Sequence, residues 1–176
     1  MRNDIERVLI DEVVIGKRLD TLAREIERDF PAGPLVVVIL LKGALVFAAD
    51  LLRRVPRVLE IECLNVASYH GGTASSGTVD FLDRHFPEVR GRHVLVLDDI
   101  LDTGRTLHAV CQRLLAEGAA AVHTAVLLAK DQARTVAVAA DYVGFEIGDE
   151  FVVGYGLDYQ GKYRNLPYVG VLQLPV

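Results

Sequence analysis

Hydrophobic and polar positions in the first part of the chain alternate with two different periods. Between residues 13 and 28, apolar residues recur every three or four positions with charged residues between them, which predicts an amphipathic helix. Residues 35–41 are apolar at every position, as is typical of a strand covered on both faces of a parallel sheet. A second helix is predicted over residues 44–54, and Pro56 explains why it ends there.

The rest of the pattern continues this alternation of strands and helices. Strands are predicted at residues 58–69, 78–83, 94–97, 121–129 and 142–147, and a helix at residues 106–117. Residues 70–77 are all small or polar and predict a mobile loop of the kind that covers a site. The pattern indicates an α/β fold with a mostly parallel, twisted sheet flanked by helices, and we expect one domain over residues 1–176.

Composition and charge narrow the range of functions. The chain is 51% hydrophobic and 24% charged, and its longest apolar run is far too short to span a bilayer. The N-terminus has alternating charges and no apolar core, so it does not resemble a secretory signal. Cys63 and Cys111 are too few for a disulfide framework, which favours reduced thiols and a cytoplasmic protein without a membrane partner. The net charge of −5 disfavours a general nucleic-acid binder.

Polar residues follow three of the predicted buried strands, at the sheet edge where α/β proteins bind ligands. The most informative of these segments is residues 98–106, which connects a strand to a helix. Gly104 permits a tight turn, Thr103 and Thr106 supply hydroxyl donors, and a helix N-terminus favours an anion. The segment therefore predicts a phosphate site, with an ordinary capped loop as the alternative.

Asp98, Asp99 and Asp102 lie beside this predicted anion site, and their charges oppose an anion unless a cation is also bound. Carboxylate and phosphate oxygens are the ligands that Mg²⁺ prefers. The acidic residues therefore predict a magnesium site, and the alternative is a solvated acidic turn. The five histidines form no pair at metal-binding spacing, so we assign them no role.

Residues 98–106, together with the apolar residues before them, resemble the phosphoribosyl-pyrophosphate signature of the type I phosphoribosyltransferases. Four further segments, in the same order along the chain, resemble the hypoxanthine-guanine branch of that family. They are residues 41–44 (a pyrophosphate loop), 68–77 (a mobile lid), 130 with 141–159 (a purine-binding region) and 163–166 (an arginine segment). Arg105 and Gly148 stand where lysine and proline are common. The resemblance implies a small hood formed by the chain ends.

The resemblance also implies a role for each matching residue around phosphoribosyl pyrophosphate. Asp98 and Asp99 would meet the ribose hydroxyls and Mg²⁺, and Asp102 would be the general base at the purine N7. The pyrophosphate would contact Arg164 and a loop with a cis peptide between Leu41 and Lys42. The groups expected to hold phosphates are Lys42, Gly43, Thr103, Gly104, Arg105, Thr106 and Arg164.

The purine site follows from the same resemblance. Ile100 and Tyr142 would sandwich the ring, Lys130 would donate to O6, the Val143 backbone would contact the base edge, and Asp149 would hold a second Mg²⁺. Ser68 and Tyr69 would open the lid. Residues 151–159 are expected to be mostly structural. Without the family context, Lys130 and Arg164 are more typical of surface charges, and Tyr142 of core packing.

The function that the resemblance implies is purine salvage: hypoxanthine or guanine and phosphoribosyl pyrophosphate would form IMP or GMP and diphosphate. One alternative is a transferase that prefers xanthine or adenine. A second is an RNA-binding regulator on the same fold, which the acidic net charge and Lys130 disfavour. The expected partners are the purine base, phosphoribosyl pyrophosphate and Mg²⁺, without nucleic acid, in a homodimer or homotetramer.

Overall fold

A computed structural model describes residues 4–68, 79–83, 85–131, 136 and 138–173. Three helices and nine strands are described in these ranges. They are β1 (Ile5–Ile10), α1 (Glu12–Asp29), β2 (Leu35–Leu41), α2 (Leu45–Leu52), β3 (Leu59–Ser68), β4 (Val79–Phe81), β5 (His93–Leu101), α3 (Arg105–Ala116), β6 (Ala121–Lys130), β7 (Tyr142–Ile147), β8 (Val152–Val153) and β9 (Val169–Leu172).

Six strands form the main sheet, in the order β4-β3-β2-β5-β6-β7. Each neighbouring pair from β3 to β7 is parallel, and only β4 runs antiparallel to its neighbour among these strands. The register places Ile39 of β2 opposite Leu97 of β5, and Leu97 opposite Ala125 of β6. The carboxyl ends of these strands therefore meet at one edge, as the α/β prediction requires.

Two apolar layers explain why β2 has no polar position. Val37 and Ile39 face a core that includes Phe47 of α2 and residues of α1, whereas Val36 and Val38 face a second core that includes α3. Both faces of the strand are covered, so every side chain gains from burial. The predicted strand over residues 35–41 is confirmed with its bounds.

β5 is longer than its hydrophobic pattern indicates. The sequence predicted that the strand ends at Leu97, but hydrogen-bonded pairing with β6 continues through Leu101, opposite Ala129. Asp98 and Asp99 are thus held by the sheet and do not lie in the loop after it.

The chain ends form a second, three-stranded antiparallel sheet in the order β1-β9-β8. Ile10 of β1 pairs with Val169, and Val153 of β8 pairs with Gly170. This sheet and the segment that joins β8 to β9 form the expected hood, and Gly156 of that segment approaches Gly43 at the carboxyl edge. None of the described helices is both long and apolar enough to cross a membrane.

Candidate functional site

A cleft of about 460 Å³ lies at the carboxyl edge of the main sheet. Its walls are the end of β2, the end of β5 with the loop that follows it, and the hood, which contributes Asp158 and Arg164. Asp98, Asp99, Asp102, Thr103, Gly104 and Thr106 all line this cleft. The residues of the 98–106 segment that predicted an anion and magnesium site are therefore gathered in one place.

Asp98 and Asp99 place two adjacent carboxyls at the floor of the cleft. Burial raises the pKa of Asp98 well above its usual range, and the neighbouring charge of Asp99 raises it further. Burial also raises the pKa of Asp99, against the smaller opposing effect of the Arg164 guanidinium. The Asp99 backbone N–H donates to Asp98 Oδ1 at 3.0 Å, and the Ile100 N–H donates to Asp99 Oδ1 at 2.9 Å. The site thus holds two carboxylates that a cation would stabilise.

Glycines bring the loop after β2 into direct contact with this acidic floor. A Cβ at Gly43 would lie 1.7 Å from Asp99 Oδ2, so a larger residue would displace the carboxylate. Gly156 of the hood has a φ of 104°, and a Cβ there would lie 2.1 Å from the Gly43 carbonyl oxygen. The expected cis peptide between Leu41 and Lys42 is present, and the Lys42 side chain is exposed.

Arg164 lies inside the cleft. Its Nη2 is 2.6 Å from Asp158 Oδ1, and its Nη1 donates to the Gly156 carbonyl at 2.6 Å. The guanidinium is thereby fixed on the hood side of the cleft, facing the Asp98–Asp99 floor. The alternative interpretation of Arg164 as an isolated surface charge is wrong.

The loop after β5 leads directly into the N-terminus of α3. Gly104 is the N-cap residue with a φ of 80°, a conformation that glycine adopts at little cost. A Cβ at Gly104 would lie 2.4 Å from Val138 Cγ1, so the tight turn also needs the missing side chain. Arg105 is the exposed first residue of the helix. The positive end of a 12-residue helix therefore points at the cleft.

A second pocket of about 230 Å³ adjoins the cleft. Asp99, Ile100, Asp102 and Asp158 line both spaces. The Lys130 side chain is only 12% exposed, and its Nζ lies 3.2 Å from Asp149 Oδ1 and 3.9 Å from Asp102 Oδ2. The remaining wall is formed by Glu150, Phe151, Val152 and Leu157. Among the residues that the structure describes, this pocket offers an apolar and aromatic surface with one ammonium donor.

The predicted roles of Tyr142 and Val143 are wrong. Both residues begin β7, whereas the pocket lies beyond the end of that strand. Tyr142 is 6% exposed, stacks on Phe30 with ring centroids 6.4 Å apart, and donates from its hydroxyl to Asp29 Oδ2 at 3.4 Å. Burial raises its pKa to about 12. The Val143 carbonyl accepts from Arg18 Nη2 at 2.7 Å. Core packing, the alternative for Tyr142, is confirmed.

The pocket contains residues of the 151–159 segment where we had predicted Tyr142 and Val143. We had expected this segment to be mostly structural. Phe151 and Val152 line the second pocket, and Phe151 is 41% exposed at its mouth. Asp158 lines both spaces, whereas the predicted metal ligand Asp149 lines neither and pairs with Lys130 at 79% side-chain exposure. An aromatic residue and a valine shortly after the end of the last parallel strand were the signal that sequence reasoning missed.

The described residues include only the first residue of the predicted lid. Ser68 is the last residue of β3. Tyr69 and the rest of the loop to residue 77 lie outside the described residues. The lid therefore stays a prediction.

Comparisons with known proteins agree with this geometry. A family model described as the phosphoribosyl transferase domain matches residues 11–160. The chain is 42% identical to the hypoxanthine-guanine phosphoribosyltransferase of Streptococcus pneumoniae, over 98% of this chain and 96% of that one. It is 44% identical to the bifunctional protein TilS/HprT of Listeria innocua, of which it spans 27%.

Solved structures include a similar protein. A crystal structure of a hypoxanthine phosphoribosyltransferase from Staphylococcus aureus superposes with a TM-score of 0.92 at 40% identity. The superposition covers 98% of this chain and 94% of that one.

Proposed function

This chain belongs to the phosphoribosyl transferase family, and we propose that it joins hypoxanthine or guanine to 5-phosphoribosyl 1-diphosphate, forming IMP or GMP and releasing diphosphate. One observation carries the proposal: a cleft with a carboxylate pair and a helix N-terminus opens into a pocket with one lysine and one aromatic ring. The first space suits a phosphorylated sugar and the second a flat base that carries an acceptor.

The carboxylate pair fits a magnesium ion. Asp98 and Asp99 stand side by side with pKa values that burial raises, and a divalent cation would stabilise the charged form of both carboxyls. Asp158 is the further acid that faces both spaces, and it replaces Asp149 in our proposal for a second ion. When bound, Mg²⁺ neutralises charge that grows on the departing diphosphate.

The chain's own residues would hold the sugar and its phosphates. Backbone amides of residues 103–106, at the positive end of α3, would bind the 5′-phosphate together with the hydroxyls of Thr103 and Thr106. Arg164, inside the cleft, and Lys42, exposed in the loop after β2, would be the cations that bind the diphosphate. Gly43 lets the loop approach Asp99 closely enough to enclose the sugar.

The base would bind in the second pocket against the ring of Phe151. Ile100 is placed to pack on the other face of the purine, and Lys130 to donate to O6. Asp102 lies 3.9 Å from the Lys130 ammonium, at the junction of the two spaces. In this proposal Asp102 would be the carboxylate beside the new glycosidic bond.

The reaction would break the bond between ribose C1 and the diphosphate oxygen and form a bond from C1 to the purine N9. Asp102 would take a proton at N7 of the base, and the departing diphosphate would keep the electron pair of the broken bond. Positive charge on the ribose would face the acidic floor, while negative charge on the leaving group would face Arg164 and Lys42. Water has to be excluded from C1, which is the role predicted for the lid.

A product assay tests the proposal. Purified protein is incubated with phosphoribosyl pyrophosphate, Mg²⁺ and hypoxanthine or guanine, and nucleotide and diphosphate are quantified by chromatography. We expect IMP or GMP in equal amount to diphosphate, with the reaction stopped by a chelator and restored by Mg²⁺. No nucleotide from either base would overturn the proposal. Strong, salt-sensitive RNA binding in its place would favour the regulator.

Three further expectations belong to this proposal. They are a single domain over residues 1–176, a homodimer or homotetramer, and a cytoplasmic location. Support for them comes from the charge and cysteine pattern and from the family resemblance.

A further inference from the structure

Glu150 forms part of the wall of the base pocket but has no role in the reaction described above. Its Oε1 accepts from Arg7 Nη2 of β1 at 2.9 Å. Its Oε2 is buried and, among the described residues, has no hydrogen-bond partner. The carboxylate reaches this position because residue 148 is glycine, since a Cβ there would lie 2.7 Å from Oε2. Glu150 thus places a carboxylate in the wall of the second pocket, with one oxygen paired to Arg7 and the other unpaired among the described residues.

The carboxylate of Glu150 adds to an acidic pocket wall. Among the residues that line it, four are acidic and one is basic: Asp99, Asp102, Glu150 and Asp158 against Lys130. The ammonium is already shared, because it lies 3.2 Å from Asp149 Oδ1 and 3.9 Å from Asp102 Oδ2. Asp158 is paired with Arg164 at 2.6 Å and Glu150 with Arg7 at 2.9 Å, and even with these cations counted the described wall presents more carboxylates than cations to an incoming base.

The three 6-oxopurines differ in how they respond to such a field. Xanthine is the most acidic of them and gives up a ring proton near neutral pH, whereas hypoxanthine and guanine stay neutral there. Specificity frequently comes from a repulsive element directed against the wrong ligand. We propose that Glu150 is a specificity-determining residue that disfavours anionic xanthine. This inference rests on the proposed function.

The test compares kcat/KM for xanthine with kcat/KM for hypoxanthine in three variants. Glu150→Gln keeps the shape and removes the charge, so the xanthine-to-hypoxanthine ratio should rise about three- to tenfold. The rise should be larger above the pKa of xanthine than below it. Arg7→Gln leaves the charge of Glu150 less compensated, so the ratio should fall. Glu146→Gln removes an exposed carboxylate of β7 outside both pockets and serves as the matched control.

The opposite signs separate charge from shape. If the Arg7–Glu150 pair only braced the pocket wall, both substitutions would change the ratio in the same direction, and that result would overturn the inference. A ratio in Glu150→Gln within twofold of the Glu146→Gln control would overturn it as well. If the unmodified protein forms neither IMP nor GMP, the proposed function is refuted. The two failures are therefore distinguishable.

Discussion

Two short segments near the end of the main sheet have almost the same sequence pattern and opposite roles. Tyr142-Val143-Gly144 begins β7, and Phe151-Val152-Val153-Gly154 follows shortly after that strand ends. The tyrosine is 6% exposed in the core, whereas the phenylalanine is 41% exposed at the mouth of a pocket. The comparison teaches that position relative to the carboxyl end of a parallel strand, more than residue type, decides which aromatic residue meets a ligand.

The comparison predicts a division of effects. Substitutions at the carboxyl edge should reduce activity and leave the fold intact, whereas substitutions at the start of β7 should reduce stability.

The largest effect is expected at Asp102, on the cleft side. Asp102→Asn keeps the size of the side chain but cannot accept a proton, so turnover should fall about 10²–10⁴-fold. Binding of phosphoribosyl pyrophosphate should change far less. Single-turnover kinetics exclude product release from the comparison, and near-normal turnover in them would remove Asp102 as the general base.

Gly43→Ala should have the next largest effect. A Cβ at Gly43 would lie 1.7 Å from Asp99 Oδ2, so the loop or the carboxylate has to move. Misplacement of about 1 Å near reacting groups costs roughly 10²-fold, and we expect a loss of that order in kcat/KM for phosphoribosyl pyrophosphate.

Gly16→Ala in α1 is the matched control, because the nearest atom to its new Cβ would be 3.8 Å away. Equal activities of the two variants would show that the close approach of Gly43 to Asp99 is dispensable.

The third largest effect is expected when Phe151 and Tyr142 are each replaced by alanine. Phe151→Ala removes a stacking surface worth about 1–3 kcal/mol per base, so KM for hypoxanthine should rise roughly 5- to 150-fold. Tyr142→Ala empties a core position, which should lower the free energy of unfolding by about 3–5 kcal/mol.

Tyr142→Phe preserves the core and loses only the hydroxyl contact with Asp29. It should keep the normal KM. A large rise in KM in that variant, with stability unchanged, would reverse the assignment of the two segments.

The smallest effect concerns stability and pH. Folding raises the pKa of Asp98 above its ordinary value of 3.8. At pH values between 3.8 and the raised pKa, the folded state therefore binds more protons than the unfolded chain. The stability from this group is therefore present below pH 3.8 and lost as the pH rises through the raised folded pKa.

Asp98→Asn should stabilise the metal-free protein at neutral pH while reducing its activity, and the gain should shrink as the solution is acidified. Denaturant unfolding at several pH values measures this, with Asp80→Asn, an exposed carboxyl of β4, as the control. A pH-independent difference would contradict the assigned cause.

Local patterns predicted the parts of the fold that local burial determines. The strand over residues 35–41 is apolar throughout because both faces are covered, so its bounds could be read directly. β1 and β9 pair residues as far apart as Ile5 and Leu172, and such long-range pairing leaves no local period to find. The end of β5 was misplaced because backbone pairing with β6, and not hydrophobicity, carries the strand through Asp98 and Asp99.

The same distinction holds for the site. Asp98, Asp99, Thr103 and Lys130 were predicted because they follow buried strands, and the structure brings them to one edge. Phe151 was missed because β8, which begins at the next residue, has only two residues and thus no readable alternation. No pattern in the sequence reports a contact such as that of Arg7 with Glu150, which joins opposite ends of the chain.

The central claim is that the pocket beyond β7 binds a 6-oxopurine through Lys130, and the most direct measurement is kcat/KM for hypoxanthine against adenine. The Lys130 ammonium has three donors and no acceptor, so it suits O6 and leaves the amino group of adenine without a match. The unmodified protein should prefer hypoxanthine by roughly 10⁴-fold or more. Lys130→Ala should narrow this gap mainly by impairing hypoxanthine. Efficient use of adenine by the unmodified protein would contradict both the role of Lys130 and the proposed specificity.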